Sequence, residues 1–275
     1  MAEPPTLAGP SPWSPARAAD WIRSCHPAPR APVLLCFPHA GGTAGYFFPL
    51  SRLLSPAVEV LAVQYPGRQE RRGEPVVRSV HQLADLICEA LSELPGLSER
   101  GGPVLFGHSM GATVAFEVAR RLEAGGGPAP RLLIASARRA PSVPTPTAVH
   151  RLDDAGLVAE LARLSGTAAG LFSDPEILRA VLPAVRGDYA AIEAYRCAPG
   201  ASLGCPIEVL LGDADPLTDR AQAQAWSAHT EAGFALRAFA GGHFYLEGWP
   251  PDVVAEVRTA VAAARAPDAR NVSAL

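Results

Sequence analysis

The chain has 275 residues, 48% of them hydrophobic, and its 24 basic and 27 acidic side chains leave a net charge of −3. That composition excludes a disordered chain and a strongly basic nucleic-acid binder. At this length a folded chain buries roughly three-quarters of its unfolded surface, so neither disulfides nor metals are needed to hold it together.

The first 30 residues hold seven prolines and little periodicity and are expected to form a mostly loose arm. From Pro32 onward, short apolar runs alternate with helical patterns. Val33–Phe37, Val58–Tyr65, Val104–Phe106, Leu132–Ser136, Ile207–Leu211 and Phe234–Phe239 have strand length. Several of these runs are apolar almost throughout, as strands buried on both faces must be. Between them Val80–Leu94, Ala112–Leu122, Ala221–His229 and Val253–Ala263 read as helices. This alternation predicts one α/β domain over residues 31–265, a mostly parallel sheet with helices on both faces. Residues 266–275 are expected to be a flexible tail.

One interval breaks the rhythm. About 70 residues separate the runs ending at Ser136 and starting at Ile207, far more than a crossover needs. Residues 141–204 are therefore read as a helical lid insertion. In it Leu178, Val181, Leu182, Val185, Tyr189, Ile192 and Tyr195 recur at spacings of three and four, interrupted by Pro183. Leu171, Phe172, Leu178, Val181 and Tyr189 could equally line a pocket beneath it or fill one.

The longest uncharged stretch, Ala31 to Ser51, is broken by Pro32, Pro38, Gly41, Gly42, Gly45 and Pro49 and cannot be a membrane helix. Met1 to Pro5 has no basic region followed by an apolar one, so no signal peptide is read there. The five cysteines are scattered without a CxxC pair, which argues against a zinc site or a disulfide framework. A soluble, reduced, cytoplasmic protein with no metal or organic cofactor is expected.

The sharpest local signal is Val104-Leu105-Phe106-Gly107-His108-Ser109-Met110-Gly111, an apolar run entering Gly-x-Ser-x-Gly just before a helical stretch. In a nucleophile elbow the serine sits on a strained strand-to-helix turn, and the flanking small residues let neighbouring backbone pass. A serine hydroxyl needs a base to take its proton and an acid to orient that base. The acid should follow a later strand. Asp213 and Asp215 in Leu211-Gly212-Asp213-Ala214-Asp215-Pro216 are the two candidates; Asp215, further into the loop, is preferred, with Asp213 left to bond the turn. The base should follow the next strand, where Gly241-Gly242-His243-Phe244 supplies His243. His26, His39, His81, His108, His150 and His229 fit the order less well. A tetrahedral oxyanion needs two backbone donors. The Met110 N–H is one, and the Ala40 N–H in Phe37-Pro38-His39-Ala40-Gly41-Gly42 is assigned as the other.

On these residues and motifs, the chain resembles the type II thioesterases, discrete α/β-hydrolases that serve polyketide synthases and nonribosomal peptide synthetases. The shared motifs are Phe37-Pro38-His39-Ala40-Gly41-Gly42, Tyr65-Pro66-Gly67-Arg68 and Phe106-Gly107-His108-Ser109-Met110-Gly111, then Gly212-Asp213-Ala214-Asp215-Pro216 and Gly241-Gly242-His243-Phe244-Tyr245-Leu246. Tyr65-Pro66-Gly67-Arg68 is the most specific, since general esterases are not expected to carry it. The resemblance implies a Ser109–His243–Asp215 triad and hydrolysis of acyl thioesters from the phosphopantetheine arm of acyl or peptidyl carrier proteins. Its usual role is to clear stalled or aberrant short acyl groups from the assembly line. Chain release or general carboxylesterase activity is the alternative on the same scaffold. A monomer with neither nucleic-acid nor membrane partners is expected. Because carrier proteins are commonly acidic, Arg68, Arg71, Arg72, Arg138 and Arg139 are candidates for a docking patch, or else local ion-pair partners.

Overall fold

A run such as Val33–Phe37 sends alternate side chains to opposite faces of a sheet, so an apolar run of this kind must be covered on both sides. The computed structural model describes residues 18–144, 146–165 and 174–265. A four-residue helix α1 (Ala18–Trp21) leads into β1 (Ile22–Ser24). Then come β2 (Val33–Phe37), α2 (Phe48–Leu54), β3 (Glu59–Val63), α3 (Val80–Ser92), β4 (Val104–His108), α4 (Met110–Ala124) and β5 (Leu132–Ser136). Helices α5 (Asp154–Ser165) and α6 (Pro175–Ala194) precede β6 (Ile207–Gly212), α7 (Arg220–Gln224), β7 (Phe234–Phe239) and α8 (Pro251–Arg265).

The seven strands form one sheet in the order β1-β3-β2-β4-β5-β6-β7, all parallel except β1, which pairs antiparallel with β3. Leu35, Phe37, Leu105, Leu133 and Val209 pack on one face with α3 and α4. Leu34, Cys36, Phe106, Ile134 and Leu210 pack on the other with α2 and α8. Chain order changes direction between β2 and β4: β3 lies to one side, β5 and β6 to the other. The crevice outside the carboxyl ends of strands at such a switch point is where an open α/β sheet accepts ligands.

The expected loose arm is corrected for residues 18–30. Trp21 is 2% exposed, the Arg71 guanidinium lies 4.2 Å from its ring centroid, and Ile22 pairs with Val63 across the edge of the sheet. Three residues of strand give too little alternation to be read from sequence, and their anchors come from a segment 40 or more positions away. Residues 1–17 and the expected tail, 266–275, lie outside the described residues.

Between β5 and β6, α5 and α6 share a small apolar cluster of Leu157, Leu182 and Val185. Helix α6 continues through Pro183. Leu171 and Phe172 lie outside the described residues. Among those described, no helix is long and apolar enough to cross a membrane.

Candidate active site

Strand β2 ends beside β4, with Phe37 in register with Gly107, so the loop after β2 and the turn after β4 emerge side by side. Ser109 occupies that turn at φ 54°, ψ −121°, a backbone state that non-glycine residues rarely adopt. The flanking glycines are steric requirements. A Cβ on Gly107 would lie 2.3 Å from the Gly111 carbonyl oxygen, and one on Gly111 would lie 2.1 Å from that of Phe37. Helix α4 begins at Met110, two residues earlier than the spacing predicts, because the elbow feeds straight into it.

The next two predicted loops converge on the serine. A Cβ on Gly212 would meet the Gly242 carbonyl oxygen at 2.2 Å, so the ends of β6 and β7 send their loops into direct contact. Asp213 Oδ1 accepts the Gly241 N–H at 2.9 Å and ties the two loops together. Asp215 points inward instead: its Oδ1 and Oδ2 lie 3.1 and 3.0 Å from His243 Nδ1, and Oδ1 also accepts the Leu217 N–H at 2.8 Å. His243 Nε2 stands 2.9 Å from Ser109 Oγ. The His243 and Asp215 side chains are 3% and 0% exposed, so the pair is dry while the serine is half-buried. With the carboxylate on Nδ1, the imidazole proton sits there and the Nε2 lone pair faces the hydroxyl.

Two backbone amides, on the turn after β4 and the loop after β2, are left without partners among the described residues. Met110, first residue of the 15-residue α4, has an N–H that the helix leaves unpaired at its positive end. Ala40 lies in the loop after β2, and its N–H makes no hydrogen bond among the described residues.

Sequence order set aside two histidines that the fold brings against His243. The His108 ring centroid is 5.5 Å from that of His243, and the His39 centroid is 5.8 Å from that of His108. Burial, with the neighbouring His243, pushes His39 down to about 3 and His108 well below the usual imidazole range, so both are neutral. His108 Nδ1 is 2.9 Å from Ser136 Oγ, which is 2.7 Å from Tyr245 Oη. His108 thus lies against His243 and His39 lies behind His108, and neither ring carries a charge. His108 was visible in sequence as the residue before Ser109, but its contact with a loop 135 positions on was not.

The five arginines divide. Arg68 pairs with Asp188 and Arg71 with Glu74, both arginine side chains being about 5–6% exposed. Arg138 Nε donates to Thr113 Oγ1 and Arg139 to the Leu217 carbonyl. Only Arg72 of the five is exposed. A continuous docking patch built from all five is therefore corrected: most are internal partners.

Comparison with known proteins bears on what this arrangement serves. The Thioesterase domain family matches residues 32–260. A protein of Streptomyces griseus named a probable cadicidin biosynthesis thioesterase is 54% identical over 230 residues, covering 83% of this chain and 62% of that protein. The chain thus spans less than two thirds of that relative's length. Thioesterase PikA5 of Streptomyces venezuelae is 48% identical over 92% of this chain and 89% of its own. The solved type II thioesterase BorB from the borrelidin biosynthetic cluster superposes with a TM-score of 0.80 at 47% identity, over 88% of this chain and 97% of that one. A family match across nearly all of the sheet and the loops that bear Ser109, Asp215 and His243, with relatives this similar, means that the chain belongs to the thioesterase family.

Proposed function

We propose that this protein hydrolyses acyl thioesters held on the phosphopantetheine arm of carrier proteins, clearing short stalled or aberrant acyl groups from a polyketide or nonribosomal peptide assembly line. One observation carries the chemistry: His243 bridges a buried carboxylate and a serine hydroxyl, with Nε2 2.9 Å from Ser109 Oγ. The kinship with PikA5 and BorB supports the thioester and the biosynthetic setting.

In this reading Ser109 Oγ attacks the thioester carbonyl as its proton passes to His243 Nε2. The Met110 and Ala40 amides receive the negative charge that develops on the carbonyl oxygen. Collapse breaks the carbon–sulfur bond, and the imidazolium protonates the departing pantetheine thiolate. A water molecule, losing its proton to the same nitrogen, then releases the acid and restores the serine. Asp215 keeps the Nδ1 proton in place through both halves and favours the imidazolium. The lid role of residues 141–204 belongs to this proposal too, with α6 lying against the loop that bears Ala40.

The test is kcat/KM for one short acyl group presented on a holo carrier protein, on a small pantetheine-type thiol and as an activated oxygen ester. Strong preference for the carrier-bound thioester is expected. Equal or faster turnover of the oxygen ester would make the chain a general esterase, and preference for long chains with a cyclised product would make it a chain-releasing enzyme. Ser109→Ala is expected to remove nearly all turnover from a folded protein.

A further inference from the structure

Hydrolytic chemistry leaves Tyr65-Pro66-Gly67-Arg68 without a role. In the fold this segment faces the loop Pro38–Gly42. Tyr65 Oη donates to the Pro38 carbonyl at 3.3 Å, and Arg68 Nη1 donates to the Gly42 carbonyl at 3.1 Å. Gly67 makes the arrangement possible: it sits at φ +81°, and a Cβ there would lie 2.5 Å from Val76 Cγ2. Helix α6 closes the other side through Asp188. Its Oδ2 accepts the Gly41 N–H at 2.7 Å and Arg68 Nη1 at 2.7 Å, while Oδ1 accepts Arg68 Nη2 at 2.8 Å. The Arg68 and Asp188 side chains are 5% and 1% exposed.

Peptide planarity turns these bonds into a direction. In a trans peptide the N–H points opposite to the C=O of the same unit. The His39 carbonyl accepts the Gly42 N–H at 2.9 Å, so the Ala40 N–H, in the same plane, is turned out of the loop. The next unit, Ala40 to Gly41, is held by Asp188 through the Gly41 N–H. Of the two planes that meet at Ala40, the loop's own turn holds the first and Asp188 holds the second from outside, while Arg68 holds the Gly42 end of that turn. Gly41, at φ +75°, lies so close to α6 that a Cβ would reach Val185 Cγ2 at 2.5 Å.

We propose, resting on Ser109 as nucleophile and Ala40 as oxyanion donor, that Tyr65, Arg68 and Asp188 are positioning residues that aim the Ala40 N–H, with Asp188 making that aim depend on the seating of α6. An ion pair this dry is a poor stabilising device, because desolvation cancels much of its attraction. Its hydrogen bonds to two loop peptides give it a different use.

Three proteins test this: Asp188→Asn, the double variant Arg68→Met/Asp188→Leu, and Tyr65→Phe. The measurements are kcat and KM on a small pantetheine-type thioester, affinity for an alkyl boronic acid that mimics the tetrahedral state, affinity for the product carboxylic acid, and thermal melting. Both Asp188 proteins are expected to lose about 10- to 100-fold in kcat, less than the ~10²–10³ of deleting an oxyanion donor outright. Boronate affinity should fall in parallel, while KM and product affinity stay within about threefold. The double variant leaves no buried charge unpaired and loses only the bonds to the Gly41 and Gly42 peptides, so it should melt below the parent but stay folded at the assay temperature, and yet remain slow. Tyr65→Phe should lose severalfold in kcat by the same pattern.

A folded double variant with parental kcat and boronate affinity would overturn the proposal and leave the pair a packing feature. If neither Asp188 protein folds, Tyr65→Phe decides, and parental values there overturn it. Absence of thioester turnover in the parent protein would instead fail the hydrolase reading itself.

Discussion

Asp215→Asn tests the orientation of the imidazole most directly. Asp215 Oδ1 accepts the Leu217 N–H at 2.8 Å, so an asparagine there keeps its carbonyl oxygen on that side. The amide nitrogen then takes the Oδ2 position, 3.0 Å from His243 Nδ1. Two donors cannot face each other, so the imidazole proton moves to Nε2 and the nitrogen facing Ser109 loses its lone pair. The corresponding change in a chymotrypsin-type triad costs ~10⁴ in kcat. Here Oδ1 also lies 3.1 Å from Nδ1 and can still accept its proton, which retains a minority of the competent tautomer. The expected loss is therefore about 10³–10⁴-fold, or about 4–5.5 kcal/mol of transition-state stabilisation. The assay follows free thiol released from a short acyl pantetheine thioester, with a thermal melt to show that the variant is folded. Asp213→Asn is the control: among the described residues its exposed carboxylate holds the Gly241 N–H alone, and less than about tenfold loss is expected. A folded Asp215→Asn protein within tenfold of the parent, or a larger loss in Asp213→Asn, would refute the assignment of the acid.

Gly111→Ala brings a Cβ to 2.1 Å from the Phe37 carbonyl oxygen, backbone against backbone, and should lower the melting temperature by several degrees, about 2–3 kcal/mol of strain; an unchanged melt would contradict the geometry of the elbow. Burial, with Glu256 beside it, pushes Glu208 up to about 7. A carboxyl raised in this way stabilises the fold while protonated and loses that contribution as pH climbs from the ordinary carboxylate range through 7. Glu208→Gln should therefore match the parent's stability near pH 4 and exceed it above pH 7, which denaturant titrations at the two pH values would show or exclude. Arg72 remains exposed beside a groove of about 560 Å³ between α6 and the Arg68–Arg72 segment. Arg72→Glu should raise KM for a carrier-bound thioester and leave the small thioester unaffected, and equal effects on both would remove Arg72 from carrier docking.

Five of the six parallel strands are buried on both faces and so are apolar almost without break, which makes them legible in sequence; β7, at the edge, is only partly buried and is legible from its length and its place in the alternation. Strand β3 proved shorter than its apolar run, since Gln64 turns its side chain to the Ala44 N–H and Tyr65 turns to Pro38. Edge strand β1 escaped notice for the opposite reason: three residues carry no period, and what holds them is Trp21 under Arg71.

Chain order and local pattern alone placed a serine on a turn between strand and helix, two carboxylates after a later strand and a histidine after the next. Those are short-range properties, written in glycines whose Cβ would strike backbone and in runs that cannot face water. Position in the loop already favoured Asp215 over Asp213; tertiary structure supplies the reason, since the two leave the same strand end and face different ways, Asp215 toward His243 and Asp213 toward the Gly241 N–H. It also drew His39 and His108 behind His243, and made internal partners of arginines that sequence could place equally well on the surface. Arg68 and Asp188 stand 120 positions apart, and no spacing rule connects them. Only the packing of α6 on the loop after β2 brings that carboxylate to that guanidinium.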